Sequence, residues 1–252
     1  CEKQLWPLLD YKFAGQGIIL SRVLHLRGIG ESTVAELIDD LIVKQTNPTL
    51  AIYARRGEII IRITAKAVDA TAATVMLDEG EAALRERLEK YIYGVDDETL
   101  ASYLGKKLLK QHKTISFAES CTGGLASNLV TDIAGSSEYL IGSIVTYTNE
   151  AKHNLLKVNE ETLNAYGAVS EETALEMAQG VRKLFGSDFG VGITGNAGPG
   201  GSEGKPVGLV YIAIATPDEV YCKEFNFTST RIENKLRIAL TAISMVIDKL
   251  SE

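Results

Sequence analysis

The sequence predicts an α/β layered domain over residues 96–252, preceded by a small α+β domain over residues 1–95. Three observations carry this prediction. From Thr114 onward, apolar runs suited to strands alternate with stretches of helical periodicity, the pattern of a layered α/β domain. Upstream, residues 17–91 read as strand, helix, strand, strand, helix. Between the two, Tyr93-Gly94 followed by Val95-Asp96-Asp97-Glu98 breaks the apolar pattern. It also places carboxylates where they favour the N-terminal dipole of a following helix.

In chain order, residues 1–16 carry Trp6, Leu8, Leu9 and Phe13 without a clear period and read as the tail of an element begun upstream. The chain opens on Cys1 rather than methionine, so it is expected to be a piece of something longer. Gly17–Leu26 alternates as a strand, and Gly28-Ile29-Gly30 breaks it. Thr33 with Glu36 predicts a capping box for a helix carrying Val34, Leu37, Ile38, Leu41 and Ile42, which Asn47-Pro48 ends. Leu50–Ala54 and Glu58–Thr64 predict a hairpin about Arg55-Arg56-Gly57, with Ile59, Ile61 and Ile63 on one face. A helix from about Asp69 to Tyr91, interrupted by Gly80, closes this part. In the second part, Leu100, Leu104 and Leu108 step along a helix. Strands are expected over 114–118, 140–148, 189–195, 207–216 and 221–227. Helices are expected over 122–134, 150–156, 160–166, 171–185 and 231–250. Ser170 is placed to cap the fourth of these, with Glu171 and Glu172 in its first turn.

Composition narrows the function classes. The 252 residues carry a formal charge of −7, and neither part is basic, which argues against broad binding along a phosphate backbone. The strand and helix order of the first part is that of small RNA-binding modules. Gly28-Ile29-Gly30, however, is not their GxxG clamp, no row of aromatics offers base stacking, and Arg55-Arg56 is only a short basic spot. Direct nucleic-acid binding is therefore not expected, and a structural or dimerising spacer is. Cys1, Cys121 and Cys222 form neither a disulfide framework nor a metal-ligand spacing. No membrane-spanning run or signal peptide is evident. The expected setting is cytoplasmic.

Four places are able to carry chemistry. Ala118-Glu119-Ser120-Cys121-Thr122-Gly123-Gly124 reads as strand end, sharp turn and helix start. Unpaired N–H groups at such a start can hold an oxyanion, and Ser120 and Cys121 both offer a nucleophilic atom. Ser120 or Thr122 equally serves as a helix cap. In Tyr147-Thr148-Asn149-Glu150-Ala151-Lys152, Asn149 is placed to cap a short helix. Lys152 then faces the positive end of the dipole, loses its proton more easily and suits a base, unless it is simply a surface lysine. Gly195-Asn196-Ala197-Gly198-Pro199-Gly200-Gly201 ends a strand with neither Walker nor GxGxxG spacing. Arg231, behind Ser229-Thr230, is a natural phosphate grip. The scattered His25, His112 and His153 leave no Ser-His-acid triad.

These motifs support a resemblance. AESCTGG at 118–124, VTYTNEAK at 145–152, GAVS at 167–170, AGPGG at 197–201 and KPVG at 205–208 follow one another as in the C-terminal domain of the CinA family. Residues 1–95 resemble that family's middle, KH-like domain, notably Ser21–Leu24, Gly28–Ser32 and Tyr91–Gly94. The resemblance implies a family member without the N-terminal molybdopterin-binding-like domain. It further implies deamidation of nicotinamide mononucleotide to nicotinate mononucleotide and ammonia, with no metal or cofactor, in a homodimer. By motif position, Ser120 would attack, Lys152 would act as base assisted by Tyr147, and the N–H groups of Thr122, Gly123 and Gly124 would hold the oxyanion. Arg231 would grip the substrate phosphate, and Gly195, Asn196 and Gly198 would line the pocket. The chain departs from the family pattern at Gly142-Ser143, Asn196 and Ser229-Thr230. The alternative is a dimeric interaction module of competence or recombination whose site is vestigial.

Overall fold

The alternation of Ile59, Ile61 and Ile63 builds the centre of a sheet in the computed structural model, which describes residues 17–55, 58–201 and 203–252. The expectations for residues 1–16 and for Arg56-Gly57 lie outside those residues. The chain divides into two compact units, one ending at Glu98 and the other spanning Thr99–Glu252.

The first unit runs β1 (Ile18–Leu26), α1 (Glu31–Leu37), α2 (Asp39–Lys44), β2 (Thr49–Arg55), β3 (Glu58–Ala67), α3 (Ala70–Leu88) and β4 (Ile92–Val95). Its sheet is antiparallel in the order β2-β3-β1-β4. Leu24 stands opposite Ile61 in the ladder. With Leu26, Ile59 and Ile63, these residues pack against Leu77, Leu84 and Leu88 of α3. Each such buried aliphatic side chain contributes about 1.5–3 kcal/mol.

Three expectations are corrected here. No capping box forms at Thr33 and Glu36: extended Gly30 lets the helix begin at Glu31, so both residues fall inside it. The one helix expected there is two, parted at the fully buried Ile38, whose φ of −120° and ψ of 15° leave the helical region. Gly80 does not interrupt α3. A Cβ at Gly80 would lie 3.0 Å from Ile63 Cγ2, so the glycine marks a close approach of helix to sheet. Beyond α3, Tyr93, Gly94 and Val95 of the expected boundary belong to β4, where Val95 pairs with Leu24, while Asp96-Asp97-Glu98 follow the strand and end the unit.

The second unit runs α4 (Leu100–Lys110), β5 (Ile115–Glu119), α5 (Leu125–Thr131), a 3-10 turn (Ser136–Glu138), β6 (Leu140–Val145), α6 (Asn149–Leu156), α7 (Glu160–Tyr166), α8 (Glu171–Phe185), β7 (Phe189–Gly195), β8 (Leu209–Ala215), β9 (Val220–Asn226) and α9 (Arg231–Lys249). The sheet order is β6-β5-β7-β8-β9. β5 lies parallel to both β6 and β7, whereas β8 and β9 continue antiparallel. Every residue of β5 is buried, as in a strand covered on both faces. The chain leaves β5 towards β6 and leaves β7 towards β8, in opposite directions along the sheet. Ligand crevices form at such a switch point, outside the carboxyl ends of the parallel strands.

Caps explain the helix starts. Ser170 accepts from Thr173 N–H at 3.2 Å, as the sequence predicted for α8. α4 is started by a reciprocal Thr99–Ser102 capping box, with the acidic cluster lying ahead of its first turn rather than in it. Among the described residues, no helix is long and apolar enough to cross a membrane.

Candidate active site

Ser120 stands one residue beyond the end of β5, and both neighbouring strands hold its backbone. Its N–H donates to the Ile193 carbonyl of β7 at 2.9 Å, while the preceding Glu119 carbonyl accepts from Thr146 N–H at 2.9 Å. The turn that follows differs from the expected helix start. Gly123 (φ +63°) and Gly124 (φ +93°) adopt left-handed conformations, and α5 begins only at Leu125. The chain thereby folds back over Glu119. That carboxylate, fully buried, accepts from the N–H groups of Gly124 (3.0 Å), Ala126 (3.1 Å) and Ser127 (2.9 Å) and from the Ser127 hydroxyl (2.9 Å). The anion expected at this helix N-terminus is thus supplied by the protein itself.

This corrects the assignment of the oxyanion donors. Gly124 N–H is engaged by Glu119, and Gly123 N–H donates to the Ser120 carbonyl at 3.1 Å. Among the described residues, no carbonyl accepts from the N–H groups of Cys121 and Thr122, and that of Cys121 faces its own sulfur. The hydroxyls of Thr122 and Thr146 are buried and unpartnered. Orphaned polar groups of this kind call for an explanation at the site.

Lys152 arrives from α6. Its cap is Thr148, whose Oγ1 accepts from Ala151 N–H at 3.1 Å, and not Asn149, which opens the helix. The Lys152 side chain is 1% exposed. Its Nζ donates to Ser120 Oγ at 3.2 Å and to the Thr146 carbonyl at 2.9 Å. Burial pushes its pKa down from 10.5 to about 8, with Cys121 (when ionised) and Glu203 acting in the opposite sense. The principal cause is therefore loss of water rather than the helix dipole. Cys121 is also buried, which pushes its thiol up to about 12 and leaves it a protonated, poor nucleophile near neutral pH.

Tyr147 is not joined to this pair. Its hydroxyl accepts from Arg231 Nη2 at 3.0 Å, and Arg231 Nη1 donates to the Gly198 carbonyl. No hydrogen bond links Tyr147 to Ser120 or Lys152 among the described residues. Arg231, expected as a free phosphate grip, tethers the glycine-rich loop to Tyr147. Asn196 is also turned away from a direct binding role. Its Nδ2 donates to the carbonyls of Lys205 (3.2 Å) and Pro206 (3.3 Å), so the side chain shapes the loop.

A pocket of about 350 Å³ brings most of the expected residues together. Its lining includes Ser120, Cys121, Tyr147, Lys152, Gly195, Asn196, Gly198 and Arg231. Thr122, Gly123 and Gly124 do not line it. Sequence reasoning missed two carboxylates. Glu119 looked like one more polar residue of the turn; the signal was an acid ahead of a double glycine and a helix start. Glu203 was the lone acid of a glycine-rich loop, and it lines the pocket. Its carboxylate accepts from Ala168 N–H at 3.0 Å and Val169 N–H at 3.3 Å. Lys205 completes this strap through the carbonyls of Tyr166 and of Val169, the latter at 2.6 Å. Among the described residues, no group of three or more His, Cys, Asp or Glu side chains is arranged to hold a metal ion.

The chain is similar to known proteins over both units. Residues 97–250 match the family model "CinA C-terminal domain", and residues 21–94 match "Damage-inducible protein CinA KH domain". A "Putative competence-damage inducible protein" of Moorella thermoacetica is 48% identical over 244 residues, which are 96% of this chain and 59% of that protein. A "CinA-like protein" of Prochlorococcus marinus is 44% identical over 257 residues, covering 97% of this chain and 60% of that protein. The chain thus spans about three fifths of the length of these relatives. Among solved structures, the competence/damage inducible protein CihA of Agrobacterium tumefaciens is 40% identical with a TM-score of 0.57, over 62% of this chain and 98% of that one. The competence damage-inducible protein A of Klebsiella pneumoniae is 30% identical with a TM-score of 0.60, over 61% and 96%.

Proposed function

The chain belongs to the CinA family, and from that premise we propose that its second unit hydrolyses the carboxamide of nicotinamide mononucleotide to nicotinate mononucleotide and ammonia. The observation that carries this reading is the Ser120 Oγ–Lys152 Nζ contact of 3.2 Å, made by a lysine that burial has brought to about 8. A serine hydroxyl is a weak nucleophile until a base stands within hydrogen-bond reach, and a desolvated amine is such a base.

In the reaction, neutral Lys152 takes the Ser120 proton as Oγ attacks the carboxamide carbon. The Thr146 carbonyl keeps the amine aimed at the serine. The oxyanion falls to the N–H group of Cys121, the residue after Ser120 in this turn that lines the pocket and whose N–H has no carbonyl acceptor. The Lys152 ammonium then returns its proton to the departing nitrogen, leaving an acyl-serine and ammonia. Water, deprotonated by the same amine, releases the acid. Arg231 exchanges its bonds to Tyr147 and Gly198 for the substrate phosphate, and the loop carrying Asn196 and Gly198 closes on the nucleotide.

Ammonia release from nicotinamide mononucleotide tests this, with a chelator present and with Ser120→Ala and Cys121→Ala beside the parent. Turnover abolished by Ser120→Ala, retained by Cys121→Ala and indifferent to the chelator is the expected outcome. A folded parent without turnover overturns the reading and leaves the interaction module.

A further inference from the structure

The pocket carries charge of both signs. Lys152 and Arg231 supply the positive side, and Glu203 is the single carboxylate among its lining residues. Several features hold that carboxylate in place. Glu203 stands at φ +55°, a left-handed conformation unfavourable to any residue with a Cβ. Its two oxygens are tied to the Ala168 and Val169 N–H groups. It also rests against Gly167, where a Cβ would come within 2.3 Å of Oε2, so the neighbouring position leaves room for it. A non-glycine residue persists at such a φ only when its surroundings over-determine it, and such residues cluster at functional sites.

The charge of Glu203 is only partly offset: Lys205 pairs with it at a long 3.8 Å, and the same ammonium also donates to the Tyr166 and Val169 carbonyls. The carboxylate keeps 34% of its side-chain surface exposed, and it has acceptor capacity beyond the two backbone bonds. It also acts electrostatically on the Lys152 ammonium, which places its field within the pocket.

We propose that Glu203 selects ligands whose ring is cationic, favouring N-substituted pyridinium nucleotides over their neutral dihydropyridine forms. The identity of the ring rests on the amidohydrolase reading above. Under that reading the substrate is a zwitterion, phosphate against Arg231 and quaternary nitrogen within reach of the field of Glu203. An anionic wall attracts the pyridinium, whereas a reduced ring gains nothing from it. Charge complementarity of this kind discriminates between ligands of nearly equal shape.

The test is calorimetric binding to the Ser120→Ala chain, which cannot turn substrate over, using nicotinamide mononucleotide and its reduced dihydropyridine form. The oxidised nucleotide is expected to bind about tenfold more tightly, and adding Glu203→Gln to bring the two within about threefold by weakening the oxidised form alone. Equal weakening of both forms would show that Glu203 only positions its loop, and would overturn the proposal. So would a preference that survives Glu203→Gln, or binding of neither nucleotide. Ammonia release by the parent chain is scored separately. Release without a charge preference sinks the selection and keeps the amidohydrolase, and a charge preference without release does the reverse.

Discussion

Two helix starts in the second unit each carry a buried ionisable group, and they treat it in opposite ways. At α5, Glu119 lies with its negative charge at the positive end of the helix and receives four hydrogen bonds. At α6, Lys152 brings a positive charge near a helix start, is 1% exposed, and has only a hydroxyl and a carbonyl to bond. Among the described residues, no carboxylate bonds to it. Both groups stand beside Ser120, Glu119 as its chain neighbour and Lys152 through the 3.2 Å bond to its hydroxyl, yet the first is satisfied and the second is not. A buried charge with its full complement of partners holds structure in place. A buried charge lacking them sheds its proton readily and becomes chemistry.

The contrast is breakable, most sharply at Lys152. Lys152→Met is expected to reduce deamidation by about a thousandfold or more, read as kcat, because the serine loses its base. At Glu119 the expected effect is on folding. Glu119→Ala leaves three buried or half-buried N–H groups without acceptors and costs about 3 kcal/mol of stability, measured by urea unfolding. If Glu119→Ala unfolds no more easily than the parent, the two sites are alike and the contrast fails. Stability should move the other way for Lys152→Met, with a gain of about 2 kcal/mol at neutral pH from removing a charge that is costly to bury.

The pH dependence sharpens the same point. Unfolded, the Lys152 amine titrates near 10.5, and folded near 8. Between those values the unfolded chain binds more protons, so the lysine's contribution to stability rises with pH across that window. Its penalty is fully present below about 8. Activity needs the neutral amine, so kcat/KM is expected to rise as pH passes through about 8. The ionisable groups that oppose the shift at Lys152 are Cys121 and Glu203. Cys121 is a neutral thiol at that pH, so Glu203 alone holds the midpoint up, and Glu203→Gln should move it lower. The smallest effect is expected from Tyr147→Phe. It removes one exposed hydrogen bond to Arg231 and should raise KM by about two- to fivefold with kcat nearly unchanged.

Much of the scaffold was legible because its signals are local. α7, α8 and β7 occupy the residues their periodicity predicts, and α9 ends one residue short. Ser170 caps α8 through a bond to a residue three positions away, which a sequence reader can anticipate. The helix expected at Thr33 misfired for the same reason: a local capping signature was overruled by Gly30 and by the burial of Ile38, which only the assembled core determines. Within the site, the sequence named Ser120 and Lys152 but gave no means of knowing that Glu119 folds back onto the helix it precedes. That bond spans five to eight residues through two left-handed glycines, a path with no periodic signature. The Tyr147–Arg231 and Glu203–Ala168 bonds cross 84 and 35 residues, and no local pattern announces them.

The register of β5 against β6, in which Glu119 stands opposite Val145, has a consequence for how this scaffold diversifies. The serine follows one partner of that pair directly and the lysine follows the other within a short helix, so a backbone ladder sets their separation. The segments that touch the rest of a ligand, around Gly198, Glu203 and Arg231, hang from other strand ends. Chemistry and recognition are therefore separately heritable. Under the proposed amidohydrolase reading, substitutions or grafts in the 196–205 loop retune which amide is admitted while the Ser120–Lys152 pair keeps its spacing, which makes that loop the place to begin redesigning the substrate range.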